Sequence, residues 1–299
     1  MKAAPFEYSR PADIDEACAL LAADDGARII AGGQTLVPMM AMRLARPTRI
    51  VDINRIADLS YIRDEDDAVA IGATTRQCLV ERDPLVAARV PLLARAIPWI
   101  GHDATRARGT IGGSIANADP AAELPLIAMT LDAVLSYRAD GETAEIPAAE
   151  FFIGPMITTL PAGACLTGIR FPVWSGKTGV GFHEVNARRS DFAFVSAAAQ
   201  VELSDDGVCK RIALCVGAAI DFPMRLETAE QQLQGGALAD EAIKAAVAQA
   251  LADIDALEDL HASAAYRARV AVKLAVRAVV AARDQALGKK AQGEKANAH

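Results

Sequence analysis

Two runs of small residues carry the strongest chemical signal in this chain: Ala31-Gly32-Gly33-Gln34-Thr35-Leu36-Val37-Pro38 and Gly109-Thr110-Ile111-Gly112-Gly113-Ser114. Adjacent glycines reach positive φ and approach a ligand with no Cβ in the way, so successive peptide N–H groups can converge on one anion. Two such runs suit the two halves of a pyrophosphate. Taken singly, each run is equally well a tight turn, because double glycines are common at strand ends. Beside the second run stand groups suited to a phosphate and a sugar: the hydroxyls of Thr110 and Ser114, the amide of Asn117, and the carboxylates of Asp119 and Glu123. A hydroxyl donates to phosphate, whereas a carboxylate repels it and instead accepts from ribityl, ribose or an adenine amine.

Other chemistries fail on spacing. A Rossmann loop needs G-x-G-x-x-G between strand and helix, and neither run supplies it. Ser175-Gly176-Lys177-Thr178 imitates the end of a P-loop, but the glycine required upstream is Phe171. His183-Glu184 begins like a zinc-protease helix, yet the second histidine position is Ala187. No G-x-S-x-G elbow is present, and His102-Asp103 beside Trp99 reads as a loop hydrogen bond rather than part of a triad. For Arg188-Arg189 before Asp191 two readings stand: steering of an anionic ligand, or a solvated face or subunit contact.

Composition narrows the class. The 299 residues are 52% hydrophobic and 23% charged, the balance of a folded chain long enough for two or three compact units. A net charge of -7 without a basic, aromatic-rich stripe argues against nucleic acid as a partner. Five scattered cysteines, Cys18, Cys78, Cys165, Cys209 and Cys215, contain no CxxC pair and no cluster-ligand set, so free thiols in a reducing cytoplasm are expected. The N-terminus lacks an apolar signal core, and no stretch is apolar and long enough to span a membrane.

The elements that must position the two runs can be sketched from patterning. Asp13 caps a helix through Leu21; Ala27 to Ile30 is a strand; the first run follows; Leu36 to Leu44 is a helix and Arg49 to Ile53 a second strand, a small βαβ-like unit. Tyr61-Ile62 and Ala68 to Ile71 flank a turn at Asp64 to Asp67, an antiparallel hairpin. Residues 77–100 read as two helices broken near Pro84 and Pro91, and Gly101 to Arg108 as a polar stretch before the second loop. Strands are expected at 131–137 and 164–171, and Trp174 to Gly179 as a linker. A meander follows, Gly181 to Asn186, Ala193 to Leu203 and Cys209 to Ala218, with its last turn at Ser204 to Gly207. The glycine- and proline-free segment Ala237 to Leu287 reads as two amphipathic helices.

With both runs placed, the sequence resembles the FAD-binding medium subunit of the molybdenum hydroxylases, the family of xanthine dehydrogenase and aerobic carbon monoxide dehydrogenase. The likeness runs from Phe6-Glu7-Tyr8 through Ala31-Gly32-Gly33-Gln34, Pro38, Pro47 and Val51-Asp52-Ile53. It continues through Arg106, Gly109 to Ser114, Ala116, Asp119-Pro120 and Glu123, to Arg188 and Asp191. It implies an α+β protein: a two-subdomain FAD-binding fold of the vanillyl-alcohol oxidase and p-cresol methylhydroxylase type, plus a C-terminal α+β domain with a three-stranded antiparallel sheet and helices. The implied boundaries are residues 1–55, 56–176 and 177–287, with 288–299 a disordered tail.

The resemblance implies non-covalent FAD held by Ala31, Gly32, Gly33, Gln34 and Thr35 and by Thr110, Ile111, Gly112, Gly113 and Ser114. Asn117, Asp119 and Glu123 complete the set, with Leu166 and His183 at further FAD positions of related xanthine dehydrogenases. Gln34 stands where the carbon monoxide enzyme has histidine, which removes the imidazole for covalent attachment. His183 replaces a lysine, and Phe192 a tyrosine near the flavin. No residue is assigned a catalytic acid, base or metal-binding role. The family's molybdenum cofactor lies in a large subunit and its 2Fe-2S clusters in a small one, and a cytoplasmic dimer of heterotrimers is the implied assembly. The substrate and the terminal electron acceptor are not encoded here. Alternative readings are a stand-alone FAD oxidoreductase, which needs a base over the flavin, and a non-enzymatic nucleotide-binding module. A valine at Gly112 is expected to crowd the phosphate loop and exclude FAD with the fold intact.

Overall fold

The computed structural model describes residues 2–289, and the tail expected beyond Gly288 lies, from residue 290, outside the described residues. The chain divides into two compact units, Met1–Asp119 with Asp132–Val173, and Pro120–Leu131 with Trp174–His299.

The first unit opens with β1 (Glu7–Ser9), α1 (Ile14–Ala22), β2 (Arg28–Ile30), α2 (Leu36–Ala41) and β3 (Arg49–Asp52), which build a three-stranded parallel sheet in the order β1-β3-β2. As expected, Asp13 caps α1: its side chain accepts from the Glu16 N–H at 2.8 Å, an interaction worth about 1 kcal/mol. The hairpin is β4 (Ile62–Glu65) and β5 (Ala68–Gly72). Three short helices then follow, where two were expected: α3 (Gln77–Arg82), α4 (Pro84–Arg89) and α5 (Pro91–Ala96). Pro84 and Pro91 each sit in the first turn of a helix, where the missing N–H costs nothing.

The polar stretch forms α6 (Asp103–Arg108), and the second glycine run is a helix start: α7 spans Ile111–Asn117. After α8 (Glu123–Thr130), which belongs to the second unit, come β6 (Val134–Ala139), β7 (Glu142–Pro147), α9 (Ala148–Phe151), the two-stranded pair β8 (Phe152–Gly154) and β9 (Ile157–Thr158), and β10 (Cys165–Pro172). The hairpin joins these in a five-stranded antiparallel sheet, order β4-β5-β10-β6-β7. Ile71, Leu92, Leu93, Ile97, Ile111, Ile115 and Phe171 are fully buried.

The second unit is the meander: β11 (Lys177–Asn186), β12 (Ala193–Leu203) and β13 (Cys209–Gly217), with a fourth, two-residue strand β14 (Met224–Arg225) added to the three expected. Then come α10 (Glu227–Leu233), which patterning missed, α11 (Asp240–Ala250) and α12 (Ala264–Ala286). Val195, Ala197, Ala199 and Val201 pack with Ala271, Leu274, Ala275 and Ala278 of α12. The expected linker Trp174 to Gly179 is corrected. Lys177 to Gly179 are strand, and Trp174 is buried beneath the Arg211 guanidinium, 4.0 Å from the ring centroid. Because Lys177 and Thr178 open a strand and not a helix, a P-loop is excluded by conformation as well as by sequence. All five cysteines are free, as expected.

Candidate cofactor site

The first run leaves the end of β2 and enters α2, as a strand–helix turn must. Gly33 sits at φ +71°, where a Cβ is strained. Gly32 meets the second run: a Cβ on it would lie 2.5 Å from the Arg108 carbonyl oxygen and 2.9 Å from the Gly109 Cα. The two runs, far apart in sequence, are therefore in backbone contact within the first unit. The second run is anchored by the segment that follows β5 and by the start of α3. Ile111 N–H donates to the Thr75 carbonyl at 3.0 Å, Gly112 N–H to that of Ala73 at 2.9 Å, and Gln77 N–H to that of Gly109 at 2.9 Å.

The donor accounting separates the runs. Among the described residues, no acceptor takes the N–H groups of Gly32, Gly33, Gln34 or Thr35, nor the hydroxyls of Thr35 and Ser114. In the second run, by contrast, Ile111 and Gly112 are bonded as above, Gly113 N–H donates to the Thr110 hydroxyl at 3.1 Å, and Ser114 N–H to the Thr110 carbonyl at 3.2 Å. Four consecutive unmet backbone donors are an anion-binding arrangement. They fit a diphosphate, with Ser114 and Thr35 as hydroxyl donors and with no space for a side chain at Gly32. The second run keeps its own N–H groups, from Ile111 to Ser114, within the protein and offers its hydroxyls and its contact with Gly32.

Packing at Gly112 corrects the expectation for Gly112→Val. A Cβ on Gly112 would lie 2.6 Å from the Ala73 Cβ and 2.7 Å from its Cα. The glycine makes room for the protein's own backbone just after β5, so valine there damages the fold before it meets a ligand.

A polar network missed from sequence ties the runs together. Asn54 Nδ2 donates to the Ala31 carbonyl at 2.8 Å and to Asp52 Oδ1 at 2.7 Å. Arg76 Nη2 donates to Asn54 Oδ1 at 2.7 Å, and Arg76 Nη1 donates to the Arg108 carbonyl. Asp52 accepts from the Tyr8 hydroxyl as well. Burial acts to raise the Asp52 carboxyl, but its bonds from Tyr8 and Asn54 and the Arg10 charge outweigh that and hold it below the ordinary value. The available signal was the Asp52-x-Asn54 spacing, in which Asn54 N–H donates back to Asp52 Oδ1 at 2.9 Å.

The remaining assigned residues fall in both units. Asn117 ends α7, the helical turn after it closing on left-handed Ala118 at φ 48°, and Asp119 follows, half-buried. Leu166 is buried on β10, paired with Tyr137. Glu123 and His183 belong to the second unit. There Glu184 of β11 stands opposite Ser196 of β12, and Ser196 opposite Gly217 of β13. Gly217 points at Leu126 of α8, one turn on from Glu123, so this row of the sheet faces α8. Burial pushes the Glu184 carboxyl up to about 8, the Glu123 charge adding to it and a bond from Asn186 Nδ2 opposing. Its Oε2 is buried without a partner. Arg188, Arg189 and Phe192 lie exposed between β11 and β12, and neither arginine has an ion pair among the described residues. Asp103, the triad-like carboxylate, pairs with Arg106 at 2.5 Å.

Comparison with known proteins bears on this arrangement. Residues 4–174 match the model of the FAD binding domain in molybdopterin dehydrogenase, and residues 181–282 that of the CO dehydrogenase flavoprotein C-terminal domain. The chain is 36% identical to the 6-hydroxypseudooxynicotine dehydrogenase complex subunit alpha of Paenarthrobacter nicotinovorans, over 90% of this chain and 92% of that one. It is 34% identical to the carbon monoxide dehydrogenase medium chain of Hydrogenophaga pseudoflava, over 93% and 96%. Among solved structures, quinoline 2-oxidoreductase from Pseudomonas putida 86 superposes with a TM-score of 0.91 at 31% identity, covering 96% of this chain and 100% of that one. Fold, matched domains and full-length relatives agree: the chain belongs to the FAD-binding medium subunits of the molybdenum hydroxylases, and is the flavoprotein component of an oxidoreductase.

Proposed function

We propose that this chain holds FAD non-covalently and serves as the electron exit of a molybdenum hydroxylase. Electrons arrive from 2Fe-2S clusters of a small partner subunit and leave to an external acceptor, while a large subunit carries the molybdenum cofactor and oxidises the substrate. A cytoplasmic dimer of heterotrimers is the proposed assembly. Among the described residues no helix is long and apolar enough to cross a membrane.

The observation that carries the cofactor assignment is the row of unmet N–H groups from Gly32 to Thr35, abutting the second run at Gly32. Bound FAD supplies a carrier that takes electrons singly and releases them singly or in pairs. The chain's own part is to bind and orient. The N–H row and the Ser114 and Thr35 hydroxyls face the diphosphate; Ala31, Ile111 and Gly113 line the runs; Asn117, Asp119 and Leu166 of the same unit meet the rest of the cofactor. No side chain is required to move a proton to the substrate. The three relatives differ in the compound their names carry, 6-hydroxypseudooxynicotine, carbon monoxide and quinoline, yet each matches this chain over nine-tenths or more of its length. That supports placing substrate choice in another subunit.

The test is spectroscopic. Purified chain supplied with FAD is expected to show flavin absorption at one equivalent, and co-expression with its genomic neighbours to recover molybdenum and iron-sulfur subunits in the same complex. A chain that takes up no FAD defeats the proposal; one that binds FAD, stays alone and reduces an acceptor with its own small substrate establishes the stand-alone enzyme.

A further inference from the structure

The charge around the two runs is opposite to that of the whole chain. The protein carries 38 acidic and 31 basic residues, yet two arginines stand at the run contact: Arg76, whose side chain bonds the Arg108 carbonyl, and Arg108, whose carbonyl Gly32 abuts. Arg76 is fixed by its two bonds, to the Arg108 carbonyl and to Asn54 Oδ1. A guanidinium has five N–H donors, so three remain for a ligand. The Arg108 side chain is exposed and has no ion pair among the described residues. The carboxylate in the network, Asp52, is occupied by the Tyr8 hydroxyl, by Asn54 and by Arg10 at 3.9 Å. Two arginines thus stand beside unmet backbone donors, neither with an ion pair among the described residues, and Asp52 offsets the Arg76 charge only in part.

We propose that the Arg76 guanidinium, fixed by Asn54 and the Arg108 carbonyl, acts with the Arg108 side chain as the cationic clamp on the cofactor's diphosphate. This rests on the FAD reading above. The electrostatics agree: burial lowers the Arg76 pKa, and the nearby Arg108 charge lowers it further. A dianion placed against both relieves that repulsion and converts it into charge-assisted hydrogen bonding. The same two bonds give Arg76 a positioning role. Through Asn54 it reaches the carbonyl of Ala31 in the first run, and directly the carbonyl before the second, so one side chain sets their separation.

The experiment is equilibrium titration of the full apo chain with FAD and, separately, with ADP, at low and high salt. Arg76→Gln and Arg108→Gln are each expected to weaken both ligands by roughly tenfold or more at low salt, with a shallower salt dependence than the wild type. Arg76→Lys, which keeps charge but not the fork, should recover part of the affinity. Arg108→Gln leaves its backbone carbonyl in place, so it decides the question even where Arg76→Gln fails to fold by circular dichroism. Wild-type affinity and salt dependence in Arg108→Gln and in folded Arg76→Gln overturn the clamp, as does a loss for FAD with none for ADP. Wild-type chain that binds ADP but not FAD overturns the FAD reading alone, and one that binds neither overturns both.

Discussion

At the scale of single residues, the two glycine runs divide their labour in a way that like composition conceals. Gly32 and Gly33 serve close approach and a left-handed backbone, and leave their N–H groups unmet. Gly112 serves packing against Ala73, and its N–H is already bonded there. The consequence is a pair of opposite outcomes. Gly112→Ala is expected to destabilise the fold by about 1–3 kcal/mol through overpacking, seen as a lower melting temperature, while folded protein still takes up FAD. Ser114→Ala, which removes a half-buried hydroxyl with no protein partner, is expected to melt as the wild type does and to bind FAD about tenfold more weakly. If Gly112→Ala instead keeps wild-type stability and loses FAD, the second run touches the cofactor through its glycine backbone, as its sequence alone suggests.

At the scale of elements, the strand-to-helix contact in the second unit explains why Gly179, at the end of the expected linker, is strand and continues into the expected strand at Gly181. A Cβ on Gly181 would collide with the Ala278 carbonyl of α12, and one on Gly179 with that of Ala282. The glycines let β11 lie against the helix backbone. Gly181→Ala is accordingly expected to cost about 2 kcal/mol, lowering the thermal midpoint without changing FAD affinity; an unchanged midpoint would show that α12 gives way freely. This region also shows what patterning can and cannot read. The hairpin at 62–72 and the meander from 181 to 217 were legible because alternation and turn residues are local signals. The second run reads as a loop from sequence, since glycine has poor helix propensity, whereas Thr110 as N-cap and support from Ala73 and Thr75 make it a helix. Strand β1 has three residues and exists through its parallel partner β3, a long-range pairing with no local signature. The candidate site follows the same rule. Its glycine runs were visible as motifs, but Asn54 and Arg76 acquire meaning only when folding brings the carbonyls of Ala31 and Arg108 to them.

At the scale of the whole molecule, the shifted groups give the stability curve two limbs of opposite sign. Asp15, Asp24, Asp52, Asp206, Asp240 and Asp259 are all held below the ordinary aspartate value. For Asp15 and Asp240 the leading cause is an arginine bond, to Arg138 and Arg283 respectively. A carboxyl lowered in the folded state contributes stability above its unfolded pKa and loses it as pH falls, so these residues shape the acid limb. Glu184 acts in reverse. Folded, it keeps its proton to about 8, whereas the unfolded chain releases it near the ordinary glutamate value. Its contribution is therefore complete below that value and declines as pH rises toward 8, by at most about 1.4 kcal/mol per pH unit. The groups facing it from neighbouring elements are Glu123 on α8, which raises it, and the uncharged Ser196 on β12, with Asn186 on its own strand. The maximum of stability is expected on the acid side of neutrality, toward the pI of 5.2. Glu184→Gln, which keeps the acceptor for Asn186 and cannot ionise, should flatten the decline between about pH 5 and 8 and shift the maximum toward neutral pH. Urea midpoints at pH 5.5 and 8.5 on both proteins decide this: curves that fall in parallel would mean that Glu184 is already ionised in the folded chain and that α8 does not seal it from water.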